Sequence, residues 1–337
     1  MCPYVPQIVS DSLVMMMGDL QRFDGRSEHQ IILHRLAVSL GTPQRGKDRD
    51  YSIGGVYMHG DLHIHSVFSD GTNTPSELVQ IAKRNNVLVI SLTDHDTIEG
   101  QYEIMNEAKK HGINIIPGVE ISTSVYGVRI HILGYYIDLN NGKLKKYLKE
   151  MAKARTLNTR KILEKNNELG LLNYPWEKVL KHHEGKTWLT SLHTFVALVK
   201  DGIYEENQWN EIKDIHFSKK SPSYQDLDGF TARSAIEIIL EAGGVPVVAH
   251  PKLIGDDSQI EKLVEYGLQG VEAHYPAHSK KDTNRYLDIA KKHNLIVTGG
   301  SDWHGDYTEW DVELGGCGVG ETHINTLAAK HSGATKL

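Results

Sequence analysis

Imidazoles and carboxylates recur along this chain at the ends of short apolar runs. The stretch GDLHIHSVFSDG (60–71) sets His63 and His65 two residues apart. In a β-strand successive side chains point to opposite faces, so the two imidazoles share one face while Leu62 and Ile64 share the other. With Asp61 before them and Asp70 after, they form half of a metal site. The other half is found further on: His95, Glu120, His131, His250, Asp302 and His304 each follow or end an apolar run. A lone ionisable group in such a place is costly without a partner. One such histidine is ordinarily a hydrogen-bonded core residue, but nine metal-competent groups in register at the ends of six strands point to a metal cluster.

Imidazole and carboxylate donors without thiolate suit Zn, Mn or Fe. There are too many ligands for one ion, so two or three divalent ions are expected, with Glu120 as a natural bridge. Clustered divalent ions acidify water and clamp the oxygens of an in-line displacement at phosphorus. No Ser/His/Asp set, nucleophile elbow, P-loop or dinucleotide fingerprint stands out. The expected nucleophile is therefore a metal-bound hydroxide, with no separate side-chain nucleophile.

The elements that must position these groups alternate regularly from Gly60 onward. Strand 60–66 leads to a helix starting at Thr74-Pro75, where Glu77 three residues after Thr74 makes a capping box. Strand 87–96, helix 98–111 and strand 113–123 follow, and strand 128–138 pairs with the last as a hairpin. Residues 139–228 break the rhythm; they are Lys-rich, largely helical, and read as an inserted helical subdomain whose basic residues form a solvated face. The alternation resumes with helices 231–242, 256–266 and 279–293 between strands 245–250, 268–275 and 295–304. About seven strands alternating with helices predict βα units on a parallel sheet, with the chemistry at strand C-terminal ends as in α/β barrels. Residues 315–337, a C-terminal tail, show no clear element. Residues 1–57 lack the alternation and read as a poorly structured extension; Met58, directly before HGDLHIHS, is a candidate native start. The barrel domain is thus expected over 58–138 and 229–314.

Composition narrows the function classes. A net charge of −6 argues against a broad nucleic-acid groove, which needs a strong basic excess, while leaving room for a local pocket for a small phosphorylated ligand. The longest apolar runs, such as VLVISL and VPVVA, are too short to span a bilayer. Two cysteines without CxxC spacing indicate neither a disulfide framework nor a thiolate zinc site, and fit a reducing cytoplasm. The oligomeric state is not legible.

The motifs DLHIHSVFSDGT, SLTDHDT, IIPGVEIS, RIHILGY, VVAHP and TGGSDWHG, in this order, resemble the PHP (polymerase and histidinol phosphatase) superfamily, most closely its stand-alone phosphoesterases of the TrpH/YciV type. The resemblance covers about residues 60–305 and implies a distorted (β/α)7 barrel with a helical insertion and a trinuclear site. It assigns His63, His65, Glu120 and Asp302 to one metal and Asp70, His95 and His304 to a second. A bridging Glu120 with His131 and His250 would hold a third. Asp94 and Asp96 flank His95 as candidates for orienting an imidazole.

Relatives carry Arg-Pro-His at the start of an insertion helix, where Arg and His meet substrate phosphate; here the stretch is Ser191-Leu192-His193. A hydroxyl does not replace a guanidinium fork on phosphate. Either Lys186, Lys219 or Lys220 substitutes for it, or the substrate differs. His193 is a candidate phosphate contact, and Tyr275 with His278, after Glu272 in GVEAHYPAHS, is placed to border the pocket.

The resemblance implies hydrolysis of a nucleoside 3′,5′-bisphosphate or a short 5′-phosphorylated oligonucleotide. The alternatives are a histidinol-phosphate phosphatase and, in another class, a non-catalytic metal-stabilised binding module.

Overall fold

The computed structural model describes residues 60–125, 128–186, 188–227, 229–308 and 310–334. The expected extension over 1–57 and the candidate start at Met58 lie outside the described residues. In chain order the elements are β1 (Gly60–Ile64), α1 (Pro75–Arg84), β2 (Val89–Leu92), α2 (Gln101–His111), β3 (Asn114–Ile115), β4 (Gly118–Val125) and β5 (Val128–Tyr135). Four helices come next: α3 (Gly142–Glu168), α4 (Trp176–His182), α5 (Ser191–Lys200) and α6 (Trp209–Ile212). The chain closes with α7 (Ala232–Glu241), β6 (Val245–Val248), α8 (Ser258–Glu265), β7 (Gly270–His274), α9 (Lys280–His293), β8 (Ile296–Gly299) and α10 (Glu321–Ala334).

Local chemistry accounts for the element boundaries. Thr74 Oγ1 accepts the N–H of Glu77 at 3.2 Å and Glu77 returns a carboxylate to the Thr74 N–H at 2.7 Å, so the expected capping box opens α1. Such a cap is worth about 1 kcal/mol. The helix buries Pro75, Leu78, Val79 and Ala82. Leu78, Val79 and Ala82 pack in one cluster with Ile64, Ile90 and Leu92 of the first two strands. At the far end of α2, Gly112 adopts φ 70°, the left-handed turn that closes a helix and that glycine enters without strain.

The strands form two sheets. β1, β2 and β3 are parallel; β4 to β8 follow in order, with β4–β5 and β5–β6 antiparallel and β6–β7–β8 parallel. The single strand expected over 113–123 is in fact two, divided at Ile116-Pro117, because Pro117 has no N–H to continue a ladder. Backbone bonds beyond the strand ends join the sheets. Asp302 N–H donates to His63 O and His65 N–H to Trp303 O, both at 2.8 Å, while Asp96 N–H donates to Glu120 O at 2.9 Å. At Gly300 a Cβ would come within 2.4 Å of His63 Cβ, so the approach of β8's end to β1 requires glycine there.

Two cores meet along α3. Its first half contributes Leu144, Leu148 and Met151 to the cluster under β4–β7, whereas Ile162 and Leu163 belong to a second cluster with Tyr174, Trp176, Phe195, Leu198 and Phe217. Beyond Gly315, where the sequence shows no clear element, α10 forms and buries Ile324 and Leu327. With so few apolar anchors among small and polar residues, the helix leaves no periodic stripe to read. Among the described residues no helix is long and apolar enough to cross a membrane.

Candidate metal centre

Glu120 is the hub. It is fully buried on β4, and its two oxygens face five imidazoles: Oε2 lies 3.3 Å from His63 Nε2, 3.3 Å from His65 Nε2 and 3.0 Å from His95 Nδ1. Oε1 lies 3.0 Å from His131 Nδ1 and 3.1 Å from His250 Nε2. Register explains part of this convergence. Ser122 is the antiparallel partner of His131 and Glu120 is one step diagonal on the same face, so the hairpin itself brings Glu120 to His131.

Asp302 closes the other side, its Oδ1 3.2 Å from His63 Nε2 and 3.1 Å from His65 Nε2. Asp70 stands further out, 3.4 Å from His304 Nε2, 3.8 Å from His95 Nε2 and 3.9 Å from His65 Nδ1. The structure thus brings together all nine residues singled out by pattern. Three groups each offer donor atoms lying within 4.8 Å of one another: His63, His65, Glu120 and Asp302; His65, Asp70, His95 and His304; and His95, Glu120 and His131. The backbone bends sharply to aim them. His250 and Asp302 adopt positive φ, 28° and 54°, a conformation that costs a non-glycine residue about 1–3 kcal/mol and clusters at functional sites.

The electrostatics match this crowding. Burial alone would push the carboxyls of Asp70, Glu120 and Asp302 up, yet the surrounding imidazoles hold all three well below the usual carboxylate range. Among the rings, burial lowers His65 to about 3 and His131 to about 4, whereas Asp70 and Asp302 overcome burial at His304 and raise it to about 10.

A divalent ion fits this donor set. His63 Nε2, both ring nitrogens of His65, Asp70 Oδ1 and Glu120 Oε2 are buried without a hydrogen-bond partner, although other polar atoms stand within 4 Å. Buried polar atoms left unsatisfied are costly, and here they converge as imidazole and carboxylate lone pairs do around a cation.

The neighbours divide by what they touch. Glu272, fully buried on β7, places Oε1 2.9 Å from His63 Nδ1 and accepts the backbone N–H of His250 at 2.7 Å. Tyr275 donates its hydroxyl to Asp302 Oδ2 and receives the Trp310 indole N–H, both at 3.0 Å. His278 packs its ring 5.3 Å from that of Tyr275 and bonds through Nδ1 to Ala273 O at 2.9 Å.

Asp94 and Asp96 do not bond to an imidazole. Asp94 accepts from the Ser66 N–H and from the hydroxyls of Ser66 and Ser69, fixing the turn before Asp70. Asp96 accepts from the Ser122 N–H and from Arg155 Nε at 2.7 Å. Asp61 likewise faces away from the cluster and binds the backbone and hydroxyl of Ser301 and the N–H of Gly315.

The helical segment covers the site, and two of its groups, Trp188 and Arg155, were not singled out by sequence reasoning. The indole of Trp188 stacks on His95 at 6.3 Å, and the Arg155 guanidinium lies 6.0 Å over Trp188. His193, 4% exposed, contacts Lys186. No strand-end pattern marks Trp188 or Arg155, since they lie in the helical segment, far off in sequence, whereas His193 and Lys186 are already candidates by sequence.

Fold and centre together define a mixed α/β protein built to gather divalent ions. Comparison with known proteins agrees. The PHP domain family model matches residues 61–222. A 5′-3′ exoribonuclease of Haemophilus influenzae is 33% identical over 250 residues, 72% of this chain and 89% of that protein. A phosphoribosyl 1,2-cyclic phosphate 1,2-diphosphodiesterase of Eggerthella lenta is 29% identical over 74% of this chain and 95% of its own length. A 3′,5′-nucleoside bisphosphate phosphatase of Chromobacterium violaceum is 28% identical over 72% of this chain and 89% of its own length. A solved structure from Bifidobacterium adolescentis, described as a metal-dependent phosphoesterase, superposes with a TM-score of 0.71 at 28% identity, over 80% of this chain and 96% of that one. The chain belongs to the PHP domain family.

Proposed function

We propose that this protein is a metal-dependent phosphoesterase acting on a small phosphorylated substrate, a nucleoside 3′,5′-bisphosphate or a short 5′-phosphorylated oligonucleotide. The observation that carries the reading is the convergence of unpartnered imidazole and carboxylate atoms on Glu120 and Asp302. In this reading His63, His65, Asp70, His95, Glu120, His131, His250, Asp302 and His304 hold two or three ions of Mn, Zn or Fe. Ions bound there supply Lewis acidity toward a phosphoryl group and lower the pKa of water.

The chain's own side chains do the rest. Glu272 fixes which nitrogen His63 turns to the centre, and Tyr275 steers Asp302. Trp188 and Arg155 shield the His95 side from solvent, and His193, Tyr275 and His278 border the substrate. Among the described residues, the backbone bonds between the strand ends of the two sheets support a distorted (β/α)7 barrel as the reading of the domain expected over 58–138 and 229–314. The second core supports residues 139–228 as an inserted helical subdomain. The net charge of −6 favours a short substrate over a long groove-bound strand. A cytoplasmic setting suits the cysteine content.

Likeness to the Eggerthella lenta diphosphodiesterase along 95% of that protein favours a second reading, hydrolytic opening of a cyclic phosphodiester. Both are tested by one Mn²⁺ panel containing nucleoside 3′,5′-bisphosphates, 5′-phosphorylated oligonucleotides, a ribose 1,2-cyclic phosphate and histidinol phosphate. Phosphate release from a bisphosphate or oligonucleotide supports the first reading, and ring opening supports the second. No hydrolysis of any ester by metal-loaded protein overturns both and leaves a metal-stabilised binding module.

A further inference from the structure

Asp70 stands 3.4 Å or more from each ring it faces, and it belongs to one donor group alone, that of His65, Asp70, His95 and His304. The turn that carries it is held on two sides. From the end of β2, Asp94 accepts the Ser66 N–H and the hydroxyls of Ser66 and Ser69. On the other side the helical segment meets the carbonyls of the turn: Lys186 Nζ lies 2.9 Å from Val67 O and 3.3 Å from Ser69 O.

His193 reaches the same turn. The Thr190 N–H donates to its Nδ1 at 3.2 Å, so the proton of the neutral ring sits on Nε2, which bonds to Ser69 O. Lys186 Nζ and His193 Nε2 stand 3.0 Å apart, two donors converging on one carbonyl. Between them in sequence, buried Trp188 sets its ring 6.3 Å from that of His95, tilted by 20°, and meets His193 edge-on at 5.5 Å. The same stretch of chain therefore supports two ligands of a single donor group. His63 and Asp302, in a different group, are supported instead by Glu272 on β7 and Tyr275 just after it.

We propose that Lys186, His193 and Trp188 are positioning residues for one particular ion of the centre, the one that His65, Asp70, His95 and His304 would hold. Lys186 and His193 fix Asp70 through the backbone of its turn, and Trp188 fixes His95 through its ring. This rests on the metal centre of the phosphoesterase reading above and gives the helical segment a task in it. Water can satisfy the two carbonyls but cannot hold the turn in place, so what the ammonium adds is preorganisation. Its charge works the other way, because a cation beside an ion position repels the ion. The sign of the effect thus separates positioning from charge.

The test counts Mn²⁺ bound by chelator-treated full-length protein in equilibrium dialysis over a series of free Mn²⁺ concentrations. Asp70→Asn marks the ion in question, because Asp70 serves no other group. Lys186→Met should weaken that same ion about tenfold, the scale at which a ligand's supporting partner acts, and leave the others unchanged. In the Asp70→Asn background it should add little, since both changes act on one ligand. Lys186→Arg, which keeps donors for both carbonyls, should bind nearly as the wild type does. Trp188→Leu should also weaken the ion of the His95, Glu120 and His131 group, because His95 belongs to both.

Unchanged Mn²⁺ binding in Lys186→Met overturns the assignment, and so does tighter binding, since the ammonium would then act by charge alone. An equal loss of every ion, or a loss that persists in full beside Asp70→Asn, overturns it as well. A protein that shows the expected pattern yet hydrolyses no ester overturns the phosphoesterase reading and leaves the positioning role standing. A wild-type protein that binds no Mn²⁺ overturns both.

Discussion

Glu272 stands directly behind His63, its Oε1 2.9 Å from Nδ1, while its other oxygen accepts the His250 backbone N–H at 2.7 Å. A carboxylate there accepts the hydrogen bond of Nδ1–H and leaves Nε2 as the lone pair turned toward Glu120 and Asp302. One buried side chain therefore orients two of the nine candidate ligands from behind. Glu272→Gln should weaken metal binding about 10- to 100-fold, the usual cost of losing such a partner. Titration against a competing chelator, with circular dichroism to check folding, measures it; unaltered affinity would show that His63 needs no such support.

Asp302 touches His63 and His65 with one oxygen and receives Tyr275 on the other. Asp302→Ala should lower phosphate-ester turnover by about 10²–10³-fold, in line with removal of one preorganised electrostatic group. Chelation of wild-type protein should abolish turnover, and re-addition of Mn²⁺ should restore it. Full activity in an Asp302→Ala protein of verified metal content would take this residue out of the cluster.

Much of this centre was legible because strands encode their chemistry locally. His63 and His65 alternate with Leu62 and Ile64 in sequence, and the strand puts them on one face. The Thr74–Glu77 cap is likewise written in four residues. The reading was weaker wherever a partner comes from afar. Asp94 and Asp96 border His95 in sequence, but their carboxylates turn to Ser66, Ser69, Ser122 and Arg155, because buried backbone and hydroxyl donors compete for them. Glu272 was visible only as a strand-end acid; its two partners lie on β1 and after β6. Trp188 and Arg155 gave no signal, since an aromatic and a basic residue on helical segments read as core and surface.

Arg155 links the helical segment to the centre: Nε donates to Asp96 Oδ2 at 2.7 Å, and that carboxylate is fully buried. Removing one partner of a buried pair leaves a charge stranded. Arg155→Met should therefore destabilise the protein by about 3 kcal/mol, measured by urea unfolding, and Arg155→Met with Asp96→Asn together by much less than the sum. Additive losses would show that the two do not act as a pair.

The last expectation concerns pH. His183 donates Nε2–H to His193 O at 2.8 Å, and burial lowers its pKa to about 4; burial and the Lys186 charge lower His193 to about 3. Both rings are held neutral in the folded protein, while an unfolded chain protonates histidine at about 6.5. The stability they contribute is complete above the unfolded value and drains away as pH falls from there toward the folded values, because the unfolded state then binds more protons. In chelator-treated protein the melting temperature should fall between pH 7 and 4.5, and His183→Gln should flatten that slope. The carboxylates and other rings titrate equally in both proteins, so the difference between the two curves isolates this residue. Parallel curves would mean that His183 titrates in the folded protein as it does in the unfolded chain.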